Sequence, residues 1–434
     1  MTEHRVVTAN DVCDWVIDAR SRTLELVADL DDTQIMGPQL DIINPLLWEI
    51  GHVAWFQEKW VLREALGKLP VRHDGDALWD SIAIAHDTRW DLPLPTREET
   101  LTYLADVRDA VLDGISGEPS EDLLYFAKYC VFHEDMHTEA FTYTRQTMGY
   151  APPSLSADPP TRTSKGGPLT GDVDISLPSF RLGAERDASF AFDNEKWAFE
   201  VPLAEFAIAR AAVTQREFAA FVDDDGYARR DLWDDDALVW KESNDATHPV
   251  YWRRDGDAWQ RRHFNEWVPL EPHRPVIHVN WHEANAYCRW AGRRLPTEAE
   301  WEAAATVSKG GRTLPSTKPT FPWGDGYATE NRANMNWENM GCVDVGAHAA
   351  GDSASGCRQM LGNVWEWTSS SFIPYPDFDR DFYAEYSEPW FGTPKVLRGG
   401  AWTTRSRMLR TTWRNFYEPH RRDVLAGFRT CAST

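Results

Sequence analysis

The sequence predicts an α+β chain of two unlike parts: a four-helix bundle over residues 1–150, a linker over 151–178, and a strand-poor domain over 179–434. Three observations carry this. Four amphipathic runs with helix-type punctuation occupy the first 150 residues. The stretch "APPSLSADPPTRTSKGGPLTGDVDISLP" is rich in Pro, Ser, Thr and Gly and has no periodicity. Beyond it tryptophans, glycines and short strand patterns dominate, with "WHEANAYCRWAG" and "TEAEWEAAA" as the main helical stretches.

The helices can be justified in order. Asn10 offers a cap for a run to about Leu30. Asn44 and Pro45 supply a cap and a first-turn proline for "PLLWEIGHVAWFQEKWVLREALG", where Leu46, Ile50, Val53 and Trp60 recur at helical spacing. Thr96 and Glu99 form a capping box ahead of "TLTYLADVRDAVL". The fourth run extends from about Ser120 to Met148 and stops at Gly149, with Pro152 and Pro153 beyond. Four such helices with modest connections make a bundle.

Composition narrows the function. With 434 residues, 42% of them hydrophobic, the chain can fill two cores. A net charge of -23 argues against a nucleic-acid groove or an anionic membrane surface, both of which need clustered Lys and Arg. Small molecules are the expected partners. The N-terminal segment lacks a basic stretch followed by an apolar one, and no apolar run approaches the length of a membrane span, so a cytoplasmic enzyme is expected. Cysteines 13, 130, 288, 342, 357 and 431 contain no C-x-x-C pair and read as reduced thiols.

The motif with the most chemistry is "FHEDMHTEAF", which holds His133, Glu134 and His137 in a His-Glu-x-x-His spacing. On a helix the two histidines stand one turn apart on one face, so both imidazoles can reach one cation. Two core histidines would have the same spacing. A zinc protease would use Glu134 as general base and needs a third ligand downstream, but "TEAFTYTRQTMGY" contains no histidine. A third imidazole is available upstream instead, at His52 in "WEIGHVAWF". Bundle interiors are where ligands from facing helices converge. Three neutral imidazoles suit iron(II) oxygen chemistry and would equally accept zinc.

Downstream, "VTQREFAAFV", "RPVIHVNWHEANAYCRWAGRRLPTEAEWEAAA", "FPWGDG", "LGNVWEWTSS", "KVLRGGAW" and "GFRTC" follow one another. In this order they resemble the sulfatase-modifying, formylglycine-generating-enzyme fold, a variant of the C-type-lectin architecture, over about residues 180 to 432. Trp365, Trp367, Gly399 and Gly400 suit a compact core with close backbone approaches. The two cysteines of a formylglycine-generating enzyme correspond to Thr404 and Leu409, so the resemblance implies the fold without its copper chemistry.

A DinB-like bundle bearing His52, His133 and His137 joined to this domain resembles the ergothioneine sulfoxide synthase (EgtB-like) family over nearly the whole chain. The resemblance implies a non-haem Fe(II) centre on the three histidines, and O2-dependent attachment of a chalcogen to imidazole C2 of hercynine, Nα-trimethylhistidine. It also implies a catalytic tyrosine from the second domain, with Tyr375 and Tyr383 as candidates, and substrate contacts from Arg89, Met136, Asn415, Phe416 and Tyr417. Relatives that use γ-glutamylcysteine carry an aspartate where Tyr417 stands, so the expected partner of a charged glutamyl amine is missing; the family's glutamine before the second motif histidine is Met136 here, which alters contacts to the hercynine side. The segments "FDNEKW", "FNEW" and "YSEPWFGTPKVLRGG" look like the selenoneine synthase (SenA) branch, which takes a neutral selenosugar as co-substrate in place of a thiol. Two other classes fit parts of the pattern: a catalytically silent lectin-like binding protein, and a zinc-dependent DinB-type thiol transferase.

Overall fold

A computed structural model describes residues 7–156, 165–324 and 326–433. The chain divides into two compact units, Met1–Asp158 and Pro159–Thr434.

The first unit is the expected bundle. Helix α1 (Ala9–Val27) is capped by Thr8 in a box with Asp11, not by Asn10: the Thr8-x-x-Asp11 pair satisfies two backbone donors reciprocally and starts the helix two residues earlier. After the short α2 (Asp32–Met36), α3 (Leu46–Gln57) begins at Pro45 without any side-chain cap bond. The Asn44 side chain expected to cap it is engaged elsewhere, donating to Glu49 Oε1 at 2.8 Å and accepting from Arg89 at 2.7 Å. The single helix expected to Gly67 also changes character, passing into a π-helical segment over Glu58–Ala65. Helix α4 (Gly75–Trp79) packs against α3. Helix α5 (Arg97–Ile115) starts at the Thr96–Glu99 box, and α6 (Glu121–Met148) runs from the Ser120 cap to left-handed Gly149 at φ 67°. Helix α1 packs on α6 and α5, and α3 on α5 and α6. None of the described helices is long and apolar enough to cross a membrane.

The second unit combines short helices with four small sheets. Strands β1 (Asp172–Ile175), β4 (Phe206–Ala209), β13 (Cys431–Ala432) and β8 (Arg293–Arg294) form one antiparallel sheet in that order. Strand β1 falls inside the linker expected over 151–178, because backbone pairing with β4 overrides a weak local pattern; residues 157–164 of that linker lie outside the described ones. A second sheet has the order β11 (Asn415–Tyr417), β10 (Lys395–Arg398), β9 (Trp365–Ser371), β12 (Ala426–Gly427), with β12 parallel to β9. A hairpin of β2 (Ser179–Leu182) and β3 (Phe199–Pro202) and a meander of β5 (Trp252–Asp255), β6 (Ala258–His263) and β7 (Glu266–Pro269) complete the strands. The helices are α7 (Gln215–Asp223), α8 (Asp235–Ser243), α9 (Trp281–Trp290) and α10 (Glu298–Thr306).

Charge lies inside this core and is paired. Glu298 and Glu302, one turn apart on α10, receive Arg414, Arg398 and Lys318. Arg429 donates to both oxygens of Glu366, which also accepts from Trp301 Nε1. A buried charge survives only with such partners. Gly399 and Gly400 allow the close approach read from the sequence: a Cβ on Gly400 would stand 2.7 Å from Leu409 and 3.2 Å from Thr404 Oγ1. The two positions that resemble the formylglycine-generating cysteines are therefore neighbours, and both are buried.

Candidate metal centre

Helix geometry brings three imidazoles together. His133 and His137 project from one face of α6, and His52 from α3, with one ring nitrogen of each within 4.8 Å of the others. Ring centroids are 5.1 Å apart for His52–His133, 5.0 Å for His52–His137 and 4.6 Å for His133–His137.

Two of the rings are held from behind. His52 Nδ1 lies 2.8 Å from the Trp79 carbonyl, to which it donates, so its Nε2 keeps its lone pair for a metal. The Trp48 indole stacks on His52 at 4.8 Å and 9°, and the Phe56 ring on His133 at 3.7 Å and 8°. Gly51 makes the Trp79 contact achievable, because a Cβ there would stand 2.2 Å from Trp79 Nε1.

Electrostatics favours neutral rings. Burial pushes the His52 and His133 imidazoles well below the usual histidine range, and the neighbouring imidazole His137 adds to the shift in both. A deprotonated ring nitrogen is what a cation needs. Three convergent imidazoles, two of them buried and kept neutral, with one Nδ1 already committed as a donor, fit a metal ion.

Glu134 plays no part at this centre. Its Oε1 accepts from Arg20 Nε and Thr23 Oγ1, both at 2.8 Å, and its Oε2 from Gln57 Nε2 at 2.7 Å and Arg20 Nη2 at 3.3 Å. It is fully buried with both oxygens engaged inside the bundle, unlike the general base of a protease, which must reach a substrate water.

The other candidates are placed as follows. Met136 is half-buried on α6 beside His137. Arg89 is buried, donating to Asn44 Oδ1 at 2.7 Å and to the carbonyls of Ser81 and Ile84 at 3.2 and 3.4 Å. In the second unit, Asn415, Phe416 and Tyr417 form the edge strand β11. Strand alternation sends Asn415 and Tyr417 to one face of β11 and Phe416 to the other. Phe416 stacks on Phe372 at 3.9 Å and 12°. Tyr375 sits in the unit's hydrophobic core, 4% exposed, with its hydroxyl 3.3 Å from Glu298 and Arg414 over its ring at 4.1 Å. Tyr383 is half-buried.

Glu49, Asn44, Trp48 and the Trp79 carbonyl surround the histidines and were missed from sequence.

Comparisons with known proteins identify both units. Residues 16–145 match the DinB superfamily model, and residues 160–434 match the sulfatase-modifying factor enzyme 1-like domain. The chain is 36% identical to a hercynine oxygenase of Mycolicibacterium thermoresistibile over 426 residues, covering 95% of this chain and 93% of that one. It is 35% identical to the hercynine oxygenase of Mycobacterium tuberculosis over 417 residues, covering 95% and 96%. A formylglycine-generating enzyme of Thermomonospora curvata is 32% identical over 285 residues, 57% of this chain and 88% of its own length. A DinB bundle and a sulfatase-modifying-factor domain on one chain define an oxygenase architecture. The chain belongs to the hercynine oxygenase family.

Proposed function

We propose that this protein uses iron(II) and O2 to attach sulfur or selenium to imidazole C2 of hercynine, with a selenosugar as the favoured donor. The observation that carries the reading is the convergence of His52, His133 and His137, in a chain related over its whole length to hercynine oxygenases. Iron held by these three imidazoles would supply O2 activation and lower the pKa of the chalcogen donor. With a thiol donor the balance is that C2–H and S–H bonds are lost, C2–S and S–O bonds form, and the second oxygen atom leaves as water.

The chain's own groups have separate tasks. Hydrophobic and aromatic surroundings keep His52 and His133 neutral. Asn415 Oδ1 accepts from the Phe416 backbone at 2.8 Å, which aims its NH2 outward to donate to the hercynine carboxylate. Tyr417, on the same face of β11, stands where an acid would serve a charged donor, and its uncharged ring suits a sugar. Met136, beside His137, supplies an apolar contact to hercynine. Tyr383, half-buried where Tyr375 is enclosed in the core, delivers the proton. Phe416, stacked on Phe372, anchors the strand.

Reconstituting the full chain anaerobically with Fe(II) and hercynine, then admitting air with cysteine, γ-glutamylcysteine or a selenosugar, tests this. A product mass containing selenium is expected. A sulfoxide from a thiol donor moves the protein to the sulfur branch, and absence of O2 uptake with every donor ends the reading.

A further inference from the structure

The third imidazole, His137, has no carbonyl behind it among the described residues comparable to Trp79 behind His52. Its Nδ1 is buried and lacks a hydrogen-bond partner among the described residues. Glu49 Oε1 lies 3.7 Å away, too far for a hydrogen bond. Glu49 is itself 3% exposed, and its Oε2 has no partner among the described residues. A buried polar group is costly while unpaired. A small movement that closes the ring N–H onto the facing carboxylate removes the cost of the unpaired imidazole nitrogen.

Glu49 does not stand alone. Its Oε1 accepts from Asn44 Nδ2 at 2.8 Å, and Asn44 Oδ1 accepts from Arg89 Nη1 at 2.7 Å. The Arg89 guanidinium also lies over the Trp48 ring at 4.0 Å, and Trp48 is the indole stacked on His52. Trp48 is pinned in turn by its Nε1 bond to the Leu78 carbonyl at 2.7 Å. Two routes therefore leave one arginine and end on two different histidines. One is a hydrogen-bond chain, Arg89–Asn44–Glu49, whose carboxylate stands 3.7 Å from His137 Nδ1; the other is a stack, Arg89–Trp48–His52.

We propose that Glu49 is the outer carboxylate that takes the His137 Nδ1–H and leaves Nε2 to the metal, and that Arg89 is a positioning residue for His137 and His52. This rests on the reading of the three histidines as a metal site. It gives Arg89 a task different from gripping a donor carboxylate, because its Nη1, Nη2 and one face are committed inside the first unit. A ligating histidine depends on such partners for its tautomer and orientation, and their loss typically weakens metal binding by about 10–100-fold.

The test is an anaerobic titration of the metal-free full chain with Co(II), read by visible ligand-field absorption, alongside the melting temperature of each metal-free variant. Glu49→Gln is expected to bind Co(II) about 10–100-fold more weakly with a changed ligand-field spectrum and a nearly native metal-free melt. Asn44→Ala, which removes only the link, and Arg89→Met are expected to weaken binding in the same direction. The double variant Asn44→Ala/Glu49→Gln should be no weaker than the worse single one, since both break one chain. Glu49→Gln with native Co(II) affinity overturns the proposal. So does an Arg89→Met protein with native affinity whose only defect is a raised KM for the donor. Should Glu49→Gln fail to fold, Asn44→Ala decides in the same way. A native chain that takes up no Co(II) is a different result, which overturns the metal reading itself.

Discussion

Glu134 shows how far a motif can mislead about a residue. It stands between two metal-ligand candidates in the most recognisable stretch of the chain, yet every oxygen lone pair faces the bundle core. Its partner Arg20 is 1% exposed, so Glu134→Gln leaves a buried guanidinium without a counter-charge. Breaking a buried pair from one side costs about 3–5 kcal/mol. The variant should therefore lose that much stability in urea unfolding, while the folded fraction keeps its metal and its kcat. Replacing both partners, as Arg20→Met with Glu134→Gln, should recover part of the loss. Tyr375 is the converse case, a catalytic candidate that the fold has enclosed. Its hydroxyl reaches only Glu298, at 3.3 Å, so Tyr375→Phe should cost about 1 kcal/mol or less and leave turnover intact. A large drop in kcat with unchanged stability would return Tyr375 to the chemistry.

Elements set the ligands, and Gly51 is where this can be tested. Trp79, at the end of α4, lies across α3 directly over Gly51, and its carbonyl fixes His52. Gly51→Ala would force a Cβ into the indole, at 2.2 Å from Nε1, with no exit because Trp79 is fully buried. Overpacking of this kind costs about 1–3 kcal/mol. Displacing α4 also releases the His52 tautomer, so a weaker metal affinity should accompany the lower melting temperature. A variant with a lowered melt and native metal affinity would separate α4 from the ligand. The same elements show what was legible in the sequence. The Thr96–Glu99 box, the Ser120 cap and Gly149 were readable because each is satisfied within its own turn. Asn44 was not, since its amide joins Glu49 to Arg89, which comes near it only in the fold. The three histidines were legible because two share a helix face and the third sits in an apolar run of another helix. Glu49 was hidden, as a glutamate on a helix usually reads as a solvated residue. The opposed faces of Asn415 and Phe416 depend on the pairing of β11 with β10, a long-range register that local pattern does not encode.

Across the whole molecule, buried histidines make acid the natural stress, and one aspartate works against them. Burial holds His263 at about 4 and His278 at about 3, while it pushes Asp193 up to about 7. For the two histidines the unfolded chain binds more protons below pH 6.5, so their contribution is complete above 6.5 and is lost as pH falls toward the folded values. Between pH 7 and 5 that loss is about 2 kcal/mol for each. Asp193 has the opposite sign. Its folded form keeps a proton that the unfolded chain releases above about 4, so stability falls as pH rises through 7, and acidification from 7 to 5 restores about 2 kcal/mol. The second unit should therefore show a shallow dependence over this range, with a modest net loss on acidification. Asp193→Asn removes the opposing group while retaining the Ser387 hydroxyl bond to Oδ1, which is 2.5 Å in the native chain. That variant should be more stable than the native protein at pH 7, with the advantage shrinking toward pH 5 and the descent into acid becoming steeper. Urea unfolding of the metal-free chain at pH 7, 6 and 5, followed by tryptophan fluorescence, measures both slopes. Parallel slopes for the two proteins would mean that Asp193 is ionised in the folded state throughout, held by Lys196 and its neighbours against the cost of burial.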